Sequence, residues 1–192
     1  MKKFVLMAAM IFSSIATFAQ GEVGSWRVQP KIGMNIATLT KADDSESRIG
    51  LAVGAEAEYQ LTDIFSLTGG LMYSMQGCEW SEGGATEKLK LDYINIPILA
   101  NVYVVKGLAV KVGIQPAFKV NSKVEMSRGD AEASDKVDGV KGFEMSIPVG
   151  LSYEYKNFVL DGRYNFGVTK VFDDADCKNS VFQITLGYKF DL

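Results

Sequence analysis

The sequence predicts an all-β protein, an eight-stranded antiparallel up-and-down transmembrane β-barrel, from three observations. Eight segments alternate residue by residue between an apolar face without charge and a polar face that carries most of their charged side chains. An N-terminal segment has the composition of a secretion signal. Behind it no apolar run approaches the roughly 18 residues that a transmembrane helix needs, so a membrane crossing would be made by strands.

Residues 1–19 are predicted to be a cleaved secretory signal peptide, and residues 20–192 to form the barrel. The segment starts with the basic pair Lys2 and Lys3, continues with an apolar core from Phe4 to Ile15, and ends on small residues. The residue directly after the expected cleavage point, Gln20, is not a cysteine, so we expect no N-terminal lipid anchor.

Alternation with a period of two defines each strand in turn. In the first segment Val28, Ile32 and Met34 share the apolar face, while Lys31 and Asn35 lie on the other. The last segment repeats this pattern. Segments of about 10 to 15 residues have the length that a tilted crossing of a bilayer requires. The predicted strands are residues 26–39, 49–60, 65–77, 88–103, 108–120, 141–155, 158–168 and 180–190.

Alternation alone does not decide which face points inward, because a soluble barrel of the lipocalin type would turn its apolar face inside. In the second strand, Leu51 and Val53 belong to an uncharged face, and Glu56 and Glu58 to the opposite one. Glycines such as Gly54 stand between the charges, and small residues beside long ionic ones suit a crowded lumen. We therefore expect the uncharged face to contact lipid and the charged face to line the lumen.

The connections between strands alternate between long and short, as in outer-membrane barrels, whose periplasmic turns are short and whose outward loops are long. An even strand number brings both termini to the periplasmic side. Aromatic residues, among them Tyr59, Phe158 and Tyr188, gather near the short connections, as an interfacial girdle requires. The expected location is the outer membrane of a Gram-negative bacterium, with four long loops outside: residues 40–48, 78–87, 121–140 and 169–179.

Four prolines fall inside predicted strands, namely Pro30, Pro97, Pro116 and Pro148. A proline removes one hydrogen bond from the ladder, and a closed barrel has no free edge at which that loss is harmless. We therefore expect a bulge or interrupted pairing at each of them.

The face predicted to line the lumen carries six basic and five acidic side chains, so it is nearly neutral. The interior of an eight-stranded barrel is about wide enough to be filled by side chains, which favours an ion-pair plug over a conducting or ligand-binding lumen. Lys111 is expected to meet Glu154. Lys189 is expected to lie beside Asp161 and Arg163. The predicted network comprises Arg27, Lys31, Glu56, Glu58, Lys111, Lys119, Glu144, Glu154, Asp161, Arg163 and Lys189.

The chain contains no histidine, so it has no Ser-His-Asp triad and lacks both the commonest general base and the commonest zinc ligand. Asp173, Asp174 and Asp176 lack the spacing and the closing glutamate of an EF-hand. A formal net charge of −3 offers nucleic acid no basic surface. We expect a protein that is not an enzyme, uses no cofactor or metal, and binds no nucleic acid.

Two features of the long loops leave alternatives open. Cys78 and Cys177 both lie at positions that face the lumen. An oxidising compartment would allow a disulfide between them, but the sequence does not give their separation, so free thiols are the alternative.

The longest loop contains Arg128, Gly129 and Asp130, a tripeptide that some adhesion receptors bind. A match this short also arises by chance in a solvated loop.

Several short motifs are spread along the chain. The more specific ones are the Tyr-x-x-Ile-Pro run that opens Tyr93–Leu99 and the Arg-Tyr-x-x-Gly run of Arg163–Gly167, and weaker ones are Gly33–Asn35, Gly113–Pro116 and Gly187–Phe190. In these motifs the chain resembles the PorT-like family of outer-membrane β-barrels, small barrels of the OmpA and OmpX type. The resemblance implies an eight-stranded outer-membrane barrel but no particular role, since such folds host many functions. The two residues after the terminal aromatic depart from the pattern, because such barrels often end on the aromatic itself.

Three functions stay open at this point. The first is a non-enzymatic structural or surface-interaction protein that acts through its long extracellular loops. The second is an accessory component of a protein export or assembly machine, and the third is a narrow pore or small-ligand carrier. The expected partners are outer-membrane lipid, the barrel-insertion machinery during biogenesis, and an extracellular or secretion-system protein that the sequence does not name.

Overall fold

The computed structural model describes residues 21–42, 45–82, 85–128, 131–137, 139–173 and 175–192. In this part of the chain the regular elements are β-strands, and no helix is long and apolar enough to cross a membrane. The segment predicted to be a signal peptide, residues 1–19, lies outside the described residues. The strands are β1 (Trp26–Leu39), β2 (Glu46–Thr62), β3 (Phe65–Glu82), β4 (Ala85–Asn95), β5 (Ile98–Val105), β6 (Leu108–Arg128), β7 (Ala131–Lys136), β8 (Phe143–Tyr155), β9 (Phe158–Gly167), β10 (Asn179–Tyr188) and β11 (Phe190–Asp191).

Antiparallel pairing joins these strands into a closed ring. The order runs from β1 through β2, β3, the β4 and β5 pair, β6, β8 and β9 to β10, which pairs back with β1. β4 and β5 are two parts of one barrel strand, since both pair with β3 on one side and with β6 on the other. β10 and β11 likewise pair with successive parts of β1. The ring therefore has eight up-and-down strands, which confirms the predicted fold, while β7 lies outside the ring and pairs with β6.

The polar face of each strand points into the barrel and the apolar face points out. In β1 the side chains of Arg27 and Lys31 are buried, whereas Ile32 and Met34 are 57% and 48% exposed. A soluble barrel would show the opposite arrangement, because water would favour an apolar interior. The outward apolar band is the surface that a bilayer covers, and the unpaired edges that lipid would penalise are absent from a closed ring.

Aromatic side chains mark the end of the barrel where the connections are short. Trp26 packs on Tyr59 with ring centroids 4.9 Å apart, and Tyr188 contacts both Phe158 at 5.1 Å and Phe190 at 4.8 Å. These rings are on the outer surface, where Tyr59 is partly exposed and the other four are exposed. Amphipathic rings at this height are typical of the membrane interface.

Each in-strand proline coincides with an interruption of pairing, as the sequence predicts. Pro30 lies where the β1 ladder passes from β10 to β11, and the register is the same on both sides of the gap. Pro97 separates β4 from β5, and Pro116 stands opposite that break in β6. Pro148 lies where the ladder between β6 and β8 is interrupted. The ring thus loses individual hydrogen bonds at its prolines without shifting its register.

Two segments predicted as long loops are instead largely strand. Residues 78–87 belong mostly to β3 and β4, and residues 121–136 hold the end of β6 and all of β7. Their polar composition suggested loops, but backbone pairing does not require apolar side chains, and the ladders simply continue beyond the lipid-facing band. We call residues 78–82, 85–92, 121–128 and 131–136 the extended sheet.

The long-loop end of the barrel is filled by apolar side chains. They come from the inner face of the extended sheet, from the upper parts of β1 and β6, and from the loop residues Val140, Val171 and Cys177. Sequence reasoning missed this cluster, because it joins residues of predicted strands to four residues of predicted loops, namely Cys78, Val140, Val171 and Cys177. We call it the apolar cap; its buried members are Leu39, Cys78, Leu89, Leu91, Tyr93, Ala117, Val140, Val171 and Cys177.

The seam between β1 and β10, which closes the ring, offers a direct test of the fold. A Cβ atom added at Gly33 would lie 1.9 Å from the backbone oxygen of Ile184 and 2.6 Å from Cα of Thr185. Backbone atoms cannot yield as a side chain does, so we expect Gly33→Ala to lower the free energy of unfolding by about 1–3 kcal/mol. Urea titration in detergent micelles, followed by heat-modifiable gel migration, measures it.

Gly162 provides the matched control, because it pairs with Ile184 from the other side and a Cβ added there meets nothing within 4 Å. Gly162→Ala should leave stability unchanged or raise it slightly, since alanine restricts the unfolded chain. Equal effects of the two substitutions would contradict the close packing of the seam.

Candidate functional site

The lumen collects the charged side chains that alternate along the strands. Every second residue of an antiparallel strand faces the same side, and ring closure brings these inner faces around one axis. Cation and carboxylate side chains from β1, β2, β6, β8 and β9 meet there, together with Lys189 between β10 and β11. They form two groups at successive heights above the short-turn end.

The lower ionic cluster consists of Arg27, Glu58, Glu154 and Lys189. The guanidinium of Arg27 lies 3.1 Å from a carboxylate oxygen of Glu58 and 3.0 Å from one of Glu154. The ammonium of Lys189 lies 2.6 Å from each of the same two side chains. Two cations and two carboxylates therefore alternate around a closed cycle, and the hydroxyl of Tyr103 donates a further hydrogen bond to Glu58.

The upper ionic cluster consists of Lys31, Glu56, Lys111, Asp161 and Arg163. Arg163 bridges the two carboxylates, at 2.9 Å from Glu56 and 2.8 Å from Asp161. Lys31 lies 2.9 Å from Glu56, and Lys111 lies 2.6 Å from Asp161. Three cations thus surround two carboxylates, and the side chains are almost completely buried. Breaking such a pair from one side leaves an uncompensated charge inside the barrel.

Nine of the eleven predicted lumen residues belong to these clusters, and two do not. Lys119 donates instead to the backbone oxygen of Val140 at 2.7 Å. Glu144 accepts a hydrogen bond from the amide of Asn179 at 2.6 Å and forms no ion pair with any described side chain. Both come from the long-loop half of the barrel, above the ionic clusters, where backbone carbonyls and amides are the nearest partners.

The expected partners of Lys111 and Lys189 were wrong. Lys111 pairs with Asp161 rather than Glu154, and Lys189 pairs with Glu58 and Glu154 rather than lying beside Asp161. These contacts join strands that are not neighbours. Which residues meet across the lumen depends on the tilt and stagger of the strands, which a strand-by-strand reading of sequence does not supply.

A layer of neutral polar side chains separates the ionic clusters from the apolar cap. Asn35 donates to Ser74 at 2.9 Å, and Gln115 donates to Ser146 at 3.3 Å. Several amide oxygens of this layer have no hydrogen-bond partner. From the short-turn end upward, the lumen is therefore occupied by ion pairs, then by amides and hydroxyls, and finally by the apolar cap. The buried members of this layer include Asn35, Ser74, Gln76, Asn95, Gln115, Ser146, Asn165, Asn179 and Gln183.

The cysteines are free thiols in this structure, which corresponds to the second of the two alternatives. Both are buried in the apolar cap. Burial raises the pKa of the Cys78 thiol to about 12 and also raises the pKa of Cys177. Because the thiolate is the nucleophilic form, these side chains are packing groups and not reactive ones.

In the described parts of the loops, the remaining features carry no assembled site. Asp176 pairs with Lys41 and, at 3.6 Å, with Lys170, so its carboxylate is already engaged. Asp174, Gly129 and Asp130 lie outside the described residues, as does the side chain of Arg128. Among the residues that are described, no group of three or more acidic or sulfur ligands could hold a metal ion.

Comparison with known proteins yields one family and several similar structures. The model of a family described as outer membrane protein beta-barrel domain matches residues 18–173. No curated protein shows significant sequence similarity to the chain. The attachment invasion locus protein Ail of Yersinia pestis, in complex with the heparin analogue sucrose octasulfate, is similar at a TM-score of 0.53 and 12% identity, over 88% of this chain and 100% of that one. Neisserial surface protein A is similar at a TM-score of 0.51 and 14% identity, over 86% and 97%.

Two buried glutamates in different surroundings make a matched test of the ionic clusters. Glu56→Gln keeps the size of the side chain but leaves Lys31 and Arg163 short of a counter-charge, so we expect a loss of about 3–5 kcal/mol in the free energy of unfolding. Glu144→Gln retains an acceptor for Asn179 and removes a buried charge that has no cationic partner in the described structure. It should be neutral or stabilising.

Urea titrations of the two variants beside the unaltered protein give the comparison. A Glu56→Gln variant as stable as the unaltered chain would refute the role of the upper ionic cluster in holding the barrel.

Proposed function

The chain belongs to the family of outer membrane protein β-barrel domains, and from this premise we propose that it is a non-enzymatic surface protein with a closed lumen. It acts through the extended sheet and the long loops. The observation that carries the proposal is the filling of the lumen along its length: ion pairs below, neutral polar side chains between, and the apolar cap above. A barrel closed in this way leaves only its rims to meet a partner.

The closed lumen also argues against a pore. An eight-stranded ring encloses a space that side chains can fill, and the clustered charges here are all held by opposite charges. Moving ions past them would require exposing buried pairs, and each exposed charge would lose its partner. The same engagement argues against catalysis, because carboxylates such as Glu56 and Asp161 are fixed by cations and are not open to a substrate.

The proposed orientation places the short turns and both termini in the periplasm and the extended sheet outside the cell. It is supported by the contrast between the two ends, since short periplasmic turns and long outward connections characterise outer-membrane barrels. The signal peptide predicted for residues 1–19 fits export across the inner membrane. In this orientation the extended sheet projects from the outer surface.

A role at the cell surface is further supported by two structural relatives. One carries attachment and invasion in its name and binds a heparin analogue, and the other is a surface protein. At 12% and 14% identity their likeness to this chain shows the fold alone, and we extend the surface role to this chain on the strength of its own extended sheet. The partner would be an extracellular molecule that meets paired strands rather than a flexible loop.

A second candidate is an accessory part of an export or assembly machine, as a PorT-like protein. The Tyr93–Leu99 run, which carries the PorT-like resemblance, contains the break between β4 and β5, so it marks a structural feature and by itself assigns no role. Tyr93 and Leu99 are both buried, so the run shapes the wall of the barrel. Copurification of a stoichiometric periplasmic partner after gentle detergent extraction would favour this candidate over the first.

The closed lumen predicts that the protein does not conduct ions. The purified protein, with folding verified by heat-modifiable migration, should give no steady conductance in planar bilayers above that of protein-free membranes. The physical reason is the cost of separating the buried ion pairs. A reproducible conductance that scales with protein would contradict the plug and favour the narrow pore.

The orientation can be tested by single-cysteine labelling of whole cells. Ser134 lies exposed on β7, and Asn157 lies in a short turn at the opposite end. With a membrane-impermeant maleimide we expect Ser134→Cys to be labelled in intact cells and Asn157→Cys only after the outer membrane is opened. The native thiols are buried and provide a low background. The reverse pattern would place the extended sheet in the periplasm.

A further inference from the structure

Three lysines lie side by side across the extended sheet. In the ladder between β4 and β6, Lys90 is directly opposite Lys123, and in the ladder between β6 and β7, Lys123 is directly opposite Lys136. Directly paired residues of antiparallel strands project from the same face. We call these three residues the lysine row.

The lysine row is on the outer face of the extended sheet. The residues that alternate with it, Leu89, Leu91 and Val124, pack into or against the apolar cap on the inner face. Lys136 is exposed and the other two lysines are partly exposed. Their ammonium groups therefore face away from the barrel axis, toward whatever surrounds the barrel at this height.

The charges near the row do not neutralise it. Lys90 pairs with Glu125, but neither Lys123 nor Lys136 forms an ion pair with a described carboxylate. Lys88 pairs with Glu79 at 3.5 Å, and the carboxylate of Asp92 is held by Asn121. Arg48 adds a further cation near Asp92, Glu125 and Glu79.

The carboxyl group of Glu125 responds to the positive charge around the lysine row. The pKa of this exposed carboxyl lies below its usual value because Lys90 donates a hydrogen bond to it, and because the positive charges of Lys90, Arg48 and Lys123 favour its ionised form. One carboxylate is thus shared among several cations.

A row of like charges is unfavourable on its own. Identical charges directly opposite each other on neighbouring strands repel, and here the repulsion runs across two consecutive ladders. A bound anion between the ammonium groups would remove that cost. Lysine is suited to phosphate, which it binds as a point charge without a fixed geometry.

The height of the row indicates where the anion resides. On β6 the outward residues just below are Phe118 and Val120, which are 49% and 55% exposed and belong to the lipid-facing band. Lys123 follows Val120 by three residues, or about 10 Å along the strand, and the register shift at Asp92 and Tyr93 in the ladder between β4 and β6 turns both side chains to the outer face. The row therefore stands just beyond the hydrocarbon, at the level of lipid headgroups.

We propose that the lysine row binds phosphate groups of the phosphorylated lipid in the outer leaflet of the outer membrane. The assignment rests on the outward orientation of the extended sheet given above. The lipid would bridge β4, β6 and β7 from outside, and so hold β7, the strand outside the ring, against the membrane surface.

The test is native mass spectrometry of the protein folded in dodecyl maltoside and titrated with bisphosphorylated lipid A. Near a membrane surface each lysine strengthens binding of an anionic lipid about fivefold, so we expect K90Q/K123Q/K136Q to bind about a hundredfold more weakly. The arginine variant K90R/K123R/K136R should retain binding, and Lys136→Gln alone should weaken it about fivefold. Lipid A without its phosphates should bind all variants equally.

The matched control is K41Q/K141Q/K170Q, which removes the same charge from the same end of the barrel. Those lysines pair with Asp176 or Asp173 and lie outside the row. The proposal is overturned if this control loses as much affinity, if K90Q/K123Q/K136Q keeps it, or if inorganic phosphate displaces lipid A as readily as the lipid itself. Binding in micelles does not depend on orientation in the cell, so this outcome is separate from the labelling of intact cells.

Discussion

Closing eight strands into a ring places long charged side chains in a space that holds little else, and each charge buried there needs an opposite charge within reach. Nine charged residues meet this requirement in two clusters. The contacts cross the lumen, so that Arg27 on β1 reaches Glu154 on β8 and Lys111 on β6 reaches Asp161 on β9. These ion pairs thus join strands that are not neighbours in the ring, in addition to the backbone ladder.

The clusters also determine what can occupy the rest of the lumen. Above them the strands carry amides and hydroxyls, and above these the apolar cap is built from residues of the extended sheet and of the loops. The apolar cap lies at the end where strands continue beyond the lipid-facing band, so it gives those extensions an inner surface to pack on. A sheet that projects into water needs such a buried face to be stable.

The two faces of the extended sheet therefore have different tasks. Its inner face closes the barrel through Leu89, Leu91 and Val124, and its outer face carries the lysine row at the level of the headgroups. Rigid strands hold these charges in a fixed array, which a flexible loop would not do. This division agrees with the function we propose for the protein. Side chains fill the lumen, so the extended sheet is the ordered surface that is left to meet a partner.

The sequence by itself determined the strand number, the two-sided alternation and the membership of nine residues in the lumen clusters, because a period of two is a local property of the chain. It also located the pairing interruptions, since a proline lacks the donor wherever it stands. Only the tertiary structure decided the partners of Lys111 and Lys189, the neutral surroundings of Glu144 and the apolar cap. Each of these depends on the stagger with which the ring closes, and stagger relates residues on strands that are far apart in the chain.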